Sequence, residues 1–152
     1  MIIYVGSDHG GFKMKEMLKK WLADKAYQVA DMGPAQYVEG DDYPDAAAAV
    51  AQKVSEAGPG EARGILICRS GAGVDIVANK FRGVRSFLAI SPDHAYQVRH
   101  DDDVNVLCIA SDFTDEATVP KIVQIFLSTP FAKEERYTRR LNKISDIENK
   151  RE

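Results

Sequence analysis

Short apolar runs alternate with amphipathic stretches along most of the chain. Residues 2–6, IIYVG, form a β-branched and aromatic run closed by Gly6, the pattern of a buried strand. Over 11–25, Met14, Met17, Leu18, Trp21 and Leu22 recur at helical spacing and predict one apolar face. A second strand is predicted at 27–32, closed by Gly33-Pro34. A polar loop then carries Glu39, Asp41, Asp42 and Tyr43 to Pro44, which suits a first helical position. The helix that follows is predicted to run to about residue 57, with Ala47, Val50, Ala51 and Val54 inward, and Gly58-Pro59-Gly60 ends it.

The pattern repeats in the second half. A strand at 64–68, GILIC, breaks into the small-residue loop 69–73, RSGAG, with helical chemistry resuming near Val74. A fourth strand is predicted at 85–90, and Ser91-Pro92 starts a helix to about residue 100, where Asp101, Asp102 and Asp103 are expected to break it. A fifth strand follows at 105–110. Val119, Ile122, Val123, Phe126 and Leu127 then mark a helical face, Thr129-Pro130 interrupts, and a charged helix is predicted at 131–150. Five strand–helix alternations imply a parallel sheet with helices on both faces, an open doubly wound α/β sandwich. A length of 152 residues without a linker or repeat fits one domain over 1–152.

Composition narrows the function classes. A formal net charge of −3 makes nucleic acid an unexpected main partner. No apolar run approaches the roughly 20 residues of a membrane helix, and MIIYVGSDHGG reads as a first strand rather than an export signal. A cytoplasmic setting with reduced thiols is therefore expected. The two cysteines, Cys68 and Cys108, form no CxxC pair, so zinc and dithiol chemistry lack support.

In such sheets ligands bind beyond the carboxyl ends of the strands. Those ends carry Ser7-Asp8-His9-Gly10, the 33–43 loop, Cys68-Arg69-Ser70, Ser91-Pro92-Asp93 and Ser111-Asp112. Cys108, in mid-strand, reads as a small buried hydrophobe. Cys68 differs, because it ends a strand with a helix start ahead, a setting that favours thiolate. Spacing removes three chemistries. A C-x5-R phosphatase loop needs arginine where Val74 stands, a GxGxxG fingerprint needs glycine at Ile76, and no GK[ST] follows for a P-loop. Two remain open: acyl transfer through Cys68 and His9, or abstraction of a carbon-bound proton with loop amides stabilising an enediolate oxygen. Asp8 is either a helix cap or a ligand contact. Arg136 and Arg140 share a helix face, either in salt bridges with Glu134 or Glu135 or as a phosphate clamp. Asp101-Asp102-Asp103 reads as a solvated acidic turn; no matching ligand set supports a metal there.

Several motifs together resemble the type B ribose-5-phosphate isomerase family, which includes the galactose-6-phosphate isomerase subunits. They are SDHGGFKMKEMLKKWL, DYPD at 42–45, GILICRSGAGVDIVANK at 64–80, GVRSFLA at 83–89, NVL at 105–107, FLSTPF at 126–131 and the Arg136/Arg140 pair. The resemblance implies a Rossmann-like three-layer α/β/α sandwich with a five-stranded parallel sheet and an extra C-terminal helix. It implies dimers or tetramers with active sites at the subunit interface, and no metal or organic cofactor. The implied reaction is aldose–ketose isomerisation of a small phosphorylated sugar. Cys68 matches the base between C1 and C2, and Ser70, Gly71 and Gly73 match the enediolate site. Asp8 and Tyr43 match sugar contacts, with Tyr43 near ring opening, and His9, Arg136 and Arg140 match the phosphate set.

Four positions depart from the family pattern. Family members read R-x-H-N-D-x-N where this chain has Arg99-His100-Asp101-Asp102-Asp103-Val104-Asn105. Asp101 thus stands at the ring-opening histidine's position and Asp102 at the asparagine's. His100 is offset by one, an expected turn of about 100° on a helix. Asp112 replaces a phosphate arginine, and Arg69 replaces a glycine and is expected to restore positive charge for the substrate. Either Asp101 opens the sugar ring, or the substrate is a four-carbon or other sugar phosphate; a non-catalytic sugar-phosphate binder is the alternative.

Overall fold

The computed structural model describes residues 1–150. Chain order is β1 (Ile2–Ser7), α1 (Phe12–Asp24), β2 (Gln28–Asp31), α2 (Tyr43–Glu56), β3 (Ala62–Cys68), α3 (Ala72–Ala78), β4 (Ser86–Leu88), α4 (Pro92–Asp102), β5 (Val106–Ala110), α5 (Val119–Ser128) and α6 (Glu135–Asn149). The strands form one five-stranded, wholly parallel sheet in the order β2-β1-β3-β5-β4. The expected three-layer α/β/α arrangement is therefore present.

Strand alternation divides the core into two layers. Ile3 and Val5, Ile65 and Ile67, Leu107 and Ile109 point to one face, where α1, α4 and α5 supply Leu18, Leu22, Ala95, Ile122 and Phe126. Leu66, Cys68, Val106 and Cys108 point to the other, against Ala47, Val50 and Ala51 of α2 and Val74 and Ala78 of α3. The central strands β3 and β5 are buried on both faces, hence the continuous runs GILIC and VLCIA. After β2 the chain crosses back past β1 to place β3, so the order reverses between β1 and β3. Their carboxyl ends, Ser7 and Cys68, flank that crevice.

Four boundaries depart from the pattern reading. Strand β3 starts at Ala62, and β4 shrinks to Ser86–Leu88. The three aspartates do not break α4, which continues through Asp102 and ends at Asp103 in the left-handed region (φ 47°). Asp103 accepts from Arg99 one helical turn back and from Arg85 across the gap, so the acidic turn closes the helix through ion pairs. α6 begins only at Glu135, because 130–134 is irregular and includes Lys133 at φ 56°.

The inward face of α1 also departs from its pattern. Met14, Leu18 and Leu22 are buried as expected, but Met17 and Trp21 only partly; Lys15 is 0% exposed. Its ammonium reaches Asp31 at 2.9 Å and the carbonyl of Pro34 at 2.5 Å, so the buried charge is paired and hydrogen-bonded. This lysine ties α1 to the end of β2 and to the start of the 33–43 loop.

Candidate active site

At the crevice between β1 and β3, Cys68 is 4% exposed, and the backbone N–H of Gly71 points at its sulfur, 3.2 Å away. That contact requires the turn made by Gly71, which caps α3 at φ 71° and ψ −19°, a conformation a side chain would strain. The sulfur thus faces a backbone donor at the start of α3. Ser70 is exposed beside it, its hydroxyl oxygen 3.4 Å from the amide of Ala72. The second thiol behaves as the pattern suggested. Burial pushes the Cys108 thiol well up, and its sulfur lies 3.1 Å from the Ser86 hydroxyl, in the core.

Loops from three strands are stitched around Cys68. The Asp8 carboxylate is buried and accepts from the amide of Gly11 at 3.0 Å, in the turn before α1; it does not cap the helix, whose N-cap is Gly11 without a side-chain cap. The Ser111 hydroxyl donates to the carbonyl of Gly10 at 2.9 Å, and the amides of Ser111 and Asp112 donate to the carbonyls of Cys68 and Arg69. The Arg69 stem lies directly on Gly10, where an added Cβ would collide with its Cγ. The Tyr43 ring lies on Gly73 in the same way, at 2.7 Å from an added Cβ. Glycines 10 and 73 thus leave the space that lets Arg69 and Tyr43 lie beside the Cys68 loop.

His9 is held by a residue that the sequence presents only as part of a polar loop. One oxygen of Asp41 accepts both from the backbone N–H of His9, at 2.6 Å, and from Nδ1, at 2.9 Å. This hydrogen bond to Asp41 raises the imidazole's pKa above its ordinary value, outweighing the opposing effect of burial, and the Asp8 charge adds to it. The Nε2 edge of a charged ring is then a donor suited to an anion.

The remaining sequence candidates are elsewhere. Asp101 and Asp102 end α4, and Arg136 and Arg140 lie in the first half of α6, which meets α4. Because α4 feeds the start of β5 while Cys68 pairs with Ala110 at its end, the two groups lie at opposite ends of the sheet. The five residues of β5 alone separate them by about 15 Å. His100, one helical position before Asp101, still reaches it: its Nδ1 is 2.7 Å from Asp101 Oδ1. Its ring stacks on Tyr96 (centroids 5.3 Å apart, 25° between planes) and meets Tyr137 edge-on at 6.0 Å. The hydrogen bond from His100, joined by one from Tyr137, lowers the Asp101 carboxyl's pKa. Asp102 goes the other way, raised by burial and by the neighbouring Asp101 charge.

Both arginines cover the Tyr137 ring, with guanidinium carbons 4.6 Å (Arg136) and 5.9 Å (Arg140) from its centroid. Arg136 also pairs with Glu134 at 2.9 Å, so a surface salt bridge and a shared cationic face coexist. Asp41, His100, Tyr96 and Tyr137 are the additions the structure makes to the candidate set. Asp41 meets His9 across a loop and Tyr137 meets His100 between helices, where spacing gives no signal, whereas Tyr96 and His100 lie one turn apart on α4. Among the described residues no group of three or more His, Cys, Asp or Glu side chains is arranged to hold a metal ion. None of the helices described is long and apolar enough to cross a membrane.

An open parallel α/β sheet with a cysteine facing a backbone amide at its switch point places the chain among the α/β proteins whose ligand sites lie at the carboxyl ends of the strands. The chain belongs to the ribose/galactose isomerase family, whose model matches residues 3–144. It is 39% identical over 150 residues to the probable ribose-5-phosphate isomerase B of Mycoplasma genitalium, covering 99% of this chain and 97% of that one. It is 36% identical over 151 residues to the putative sugar phosphate isomerase YwlF of Bacillus subtilis, covering 99% of each. Among solved structures, ribose-5-phosphate isomerase B from Mycoplasma genitalium with bound ribulose-5-phosphate superposes with a TM-score of 0.93, over 97% of this chain and 96% of that one at 39% identity. The enzyme from Clostridium thermocellum also gives 0.93, at 35% identity over 100% of both chains.

Proposed function

We propose that this chain is a cofactor-independent aldose–ketose isomerase that interconverts ribose 5-phosphate and ribulose 5-phosphate. The observation that carries the reading is Cys68 Sγ facing the Gly71 amide at the sheet's switch point. The family and the ribulose-5-phosphate-bound relative supply the substrate class.

In this reading the Cys68 thiolate takes the proton from C2 of the open-chain aldose, and its electron pair moves into a C1–C2 double bond. The C1 oxygen becomes the enediolate oxygen, faced by the amides around Ser70, Gly71 and Gly73. Ser70 relays the hydroxyl proton from O2 to O1, and the Cys68 thiol returns its proton to C1. Asp8 holds sugar hydroxyls. Tyr43 and the His100–Asp101 pair serve ring opening, and Asp102 borders the sugar. His9, Arg136 and Arg140 hold the phosphate, and Arg69 adds positive charge beside the cysteine.

These roles cannot be met within one chain, because Asp101, Asp102, Arg136 and Arg140 lie at the far end of the sheet from Cys68. We therefore propose a homodimer, or a tetramer of two dimers, in which each site combines the Cys68 end of one copy with the α4–α6 end of another. Exposed Ile90, Tyr96 and Phe113 offer apolar surface for that contact. A cytoplasmic setting fits a substrate of this kind and two free thiols.

Incubation with ribose 5-phosphate in deuterated water should wash deuterium into the carbon skeleton as ribulose 5-phosphate forms. Cys68→Ala should abolish exchange and turnover while the variant still binds the sugar phosphate. A panel of tetrose, pentose and hexose phosphates showing neither exchange nor turnover would sink the isomerase reading. Near-normal rates in Cys68→Ala would remove the thiolate from the reaction.

A further inference from the structure

At the sheet end remote from Cys68, a cavity of about 240 Å³ opens among Ser55, Gly60, Arg63, Gly83, Arg85 and Asp103. Three guanidinium groups, of Arg63, Arg85 and Arg99, crowd this corner around one carboxylate, Asp103. Both oxygens of that carboxylate are already engaged, Oδ1 by Arg99 at 2.7 Å and Oδ2 by Arg85 at 2.9 Å. Arg85 and Arg99 also donate to backbone carbonyls of Asp102, Asp103, Val104 and Thr129. Glu61, on the nearby turn, is folded back onto the amide of Gly58 at 3.1 Å.

Arg63 is left over. Its one side-chain hydrogen bond among the described residues runs from Nη1 to the carbonyl of its neighbour Ala62, at 3.1 Å. Its Nε is buried without a partner, as is the Nε of Arg99. Burial, followed by the like charges of Arg99 and Arg85 and only partly offset by Asp103, lowers its pKa to about 10. A guanidinium offers five donors and keeps its charge near neutrality. Arg63 lines the cavity with Nη hydrogens that no described side chain takes up, and guanidinium donors in a positively charged cavity suit an anion.

We propose that this cavity is a second anion site, remote from the Cys68 loop, that takes a small oxyanion between Arg63 and Arg85. The ligand is a phosphate monoester or a small dicarboxylate, the two chemistries whose paired oxygens match a guanidinium edge. The cavity's volume, below the roughly 300 Å³ at which pockets for drug-sized ligands begin, suits a small ion. The site stands independently of the isomerase reading.

The test follows backbone amide resonances of the full chain during separate titrations with inorganic phosphate and malonate. Saturable shifts at Gly60 and Gly83 are expected, with or without the Arg136→Ala/Arg140→Ala double substitution. Response to both anions defines a general oxyanion site, and response to one assigns the chemistry. Arg63→Gln should weaken binding at these amides by about tenfold or more, and Arg63→Lys should retain part of it. If Arg63→Gln compromises folding, the Arg63→Lys titration carries the test alone. Absence of saturable shifts at Gly60 and Gly83 with both anions, or affinities unchanged by either substitution, would overturn the proposal. Failure of ribose 5-phosphate turnover would leave it untouched.

Discussion

His9 shows how one loop carboxylate sets the chemistry of a neighbour. Asp41 accepts from both the backbone and the ring of the same residue, so it fixes ring orientation and favours the imidazolium. The sign follows from the raised pKa. On the proposed phosphate role, the contribution of charged His9 to anion binding is complete below the ordinary imidazole value near 6.5 and fades as pH climbs through the raised value. Asp41→Asn should move the His9 titration, followed by ring-proton NMR, back towards that ordinary value. KM for the sugar phosphate should then start to rise at lower pH than in the parent, with kcat little changed. A His9 midpoint unmoved by the substitution would show that Asp41 is only a loop tether. None of this was legible in the sequence, where Asp41 is one acid among four polar residues and its partner lies 32 positions away. Cys68 was legible, because the strand, the glycine turn and the helix start that define its setting are consecutive.

At the scale of elements, periodicity located all five strands and six helices but missed what one lysine does. Lys15 occupies a core position of α1 only because β2 brings Asp31 beneath it, a contact made by sheet register rather than by helical spacing. Burial alone would push the Asp31 carboxyl up. Hydrogen bonds from Lys19, Lys15 and the Gly33 amide outweigh it, so the pKa ends below the ordinary value. The network therefore stabilises the fold above that ordinary value, and its contribution is lost as pH falls through the lowered one. Lys15→Met should cost about 3 kcal/mol in denaturant unfolding, the low end for breaking a buried pair, because Lys19 still faces Asp31. It should also loosen the 33–43 loop, seen as faster amide exchange at Met32 and His9, whose donors bond Val5 and Asp41. A loss under about 1 kcal/mol would mean that the methionine packs as well as the paired charge. The misplaced end of α4 has a related origin. Asp103 closes it through Arg99 one turn back and through Arg85, a partner 18 positions away that no local pattern reports.

In the proposed reading the whole molecule presents two half-sites, and its topology limits how they can combine. A parallel sheet sends every strand's carboxyl end one way, so Cys68 and the loops beside it share one edge. The α4–α6 cluster, attached upstream of β5, is fixed to the other. No hinge within the sheet can close a gap of about 15 Å along hydrogen-bonded strands. An assembly with two-fold symmetry can, because each copy then presents its Cys68 end to the other's arginine end and both sites are completed together. Complementation tests this directly. Cys68→Ala and the Arg136→Ala/Arg140→Ala pair should each be inactive at low substrate. In a heterodimer of the two, one site carries all the lesions and the other is intact. Random reassociation of equal amounts should therefore restore roughly a quarter of parental turnover. Recovery should track the heterodimer fraction measured by native mass spectrometry. If every site were built within one chain, the mixture would stay as inactive as its components however completely the subunits exchanged.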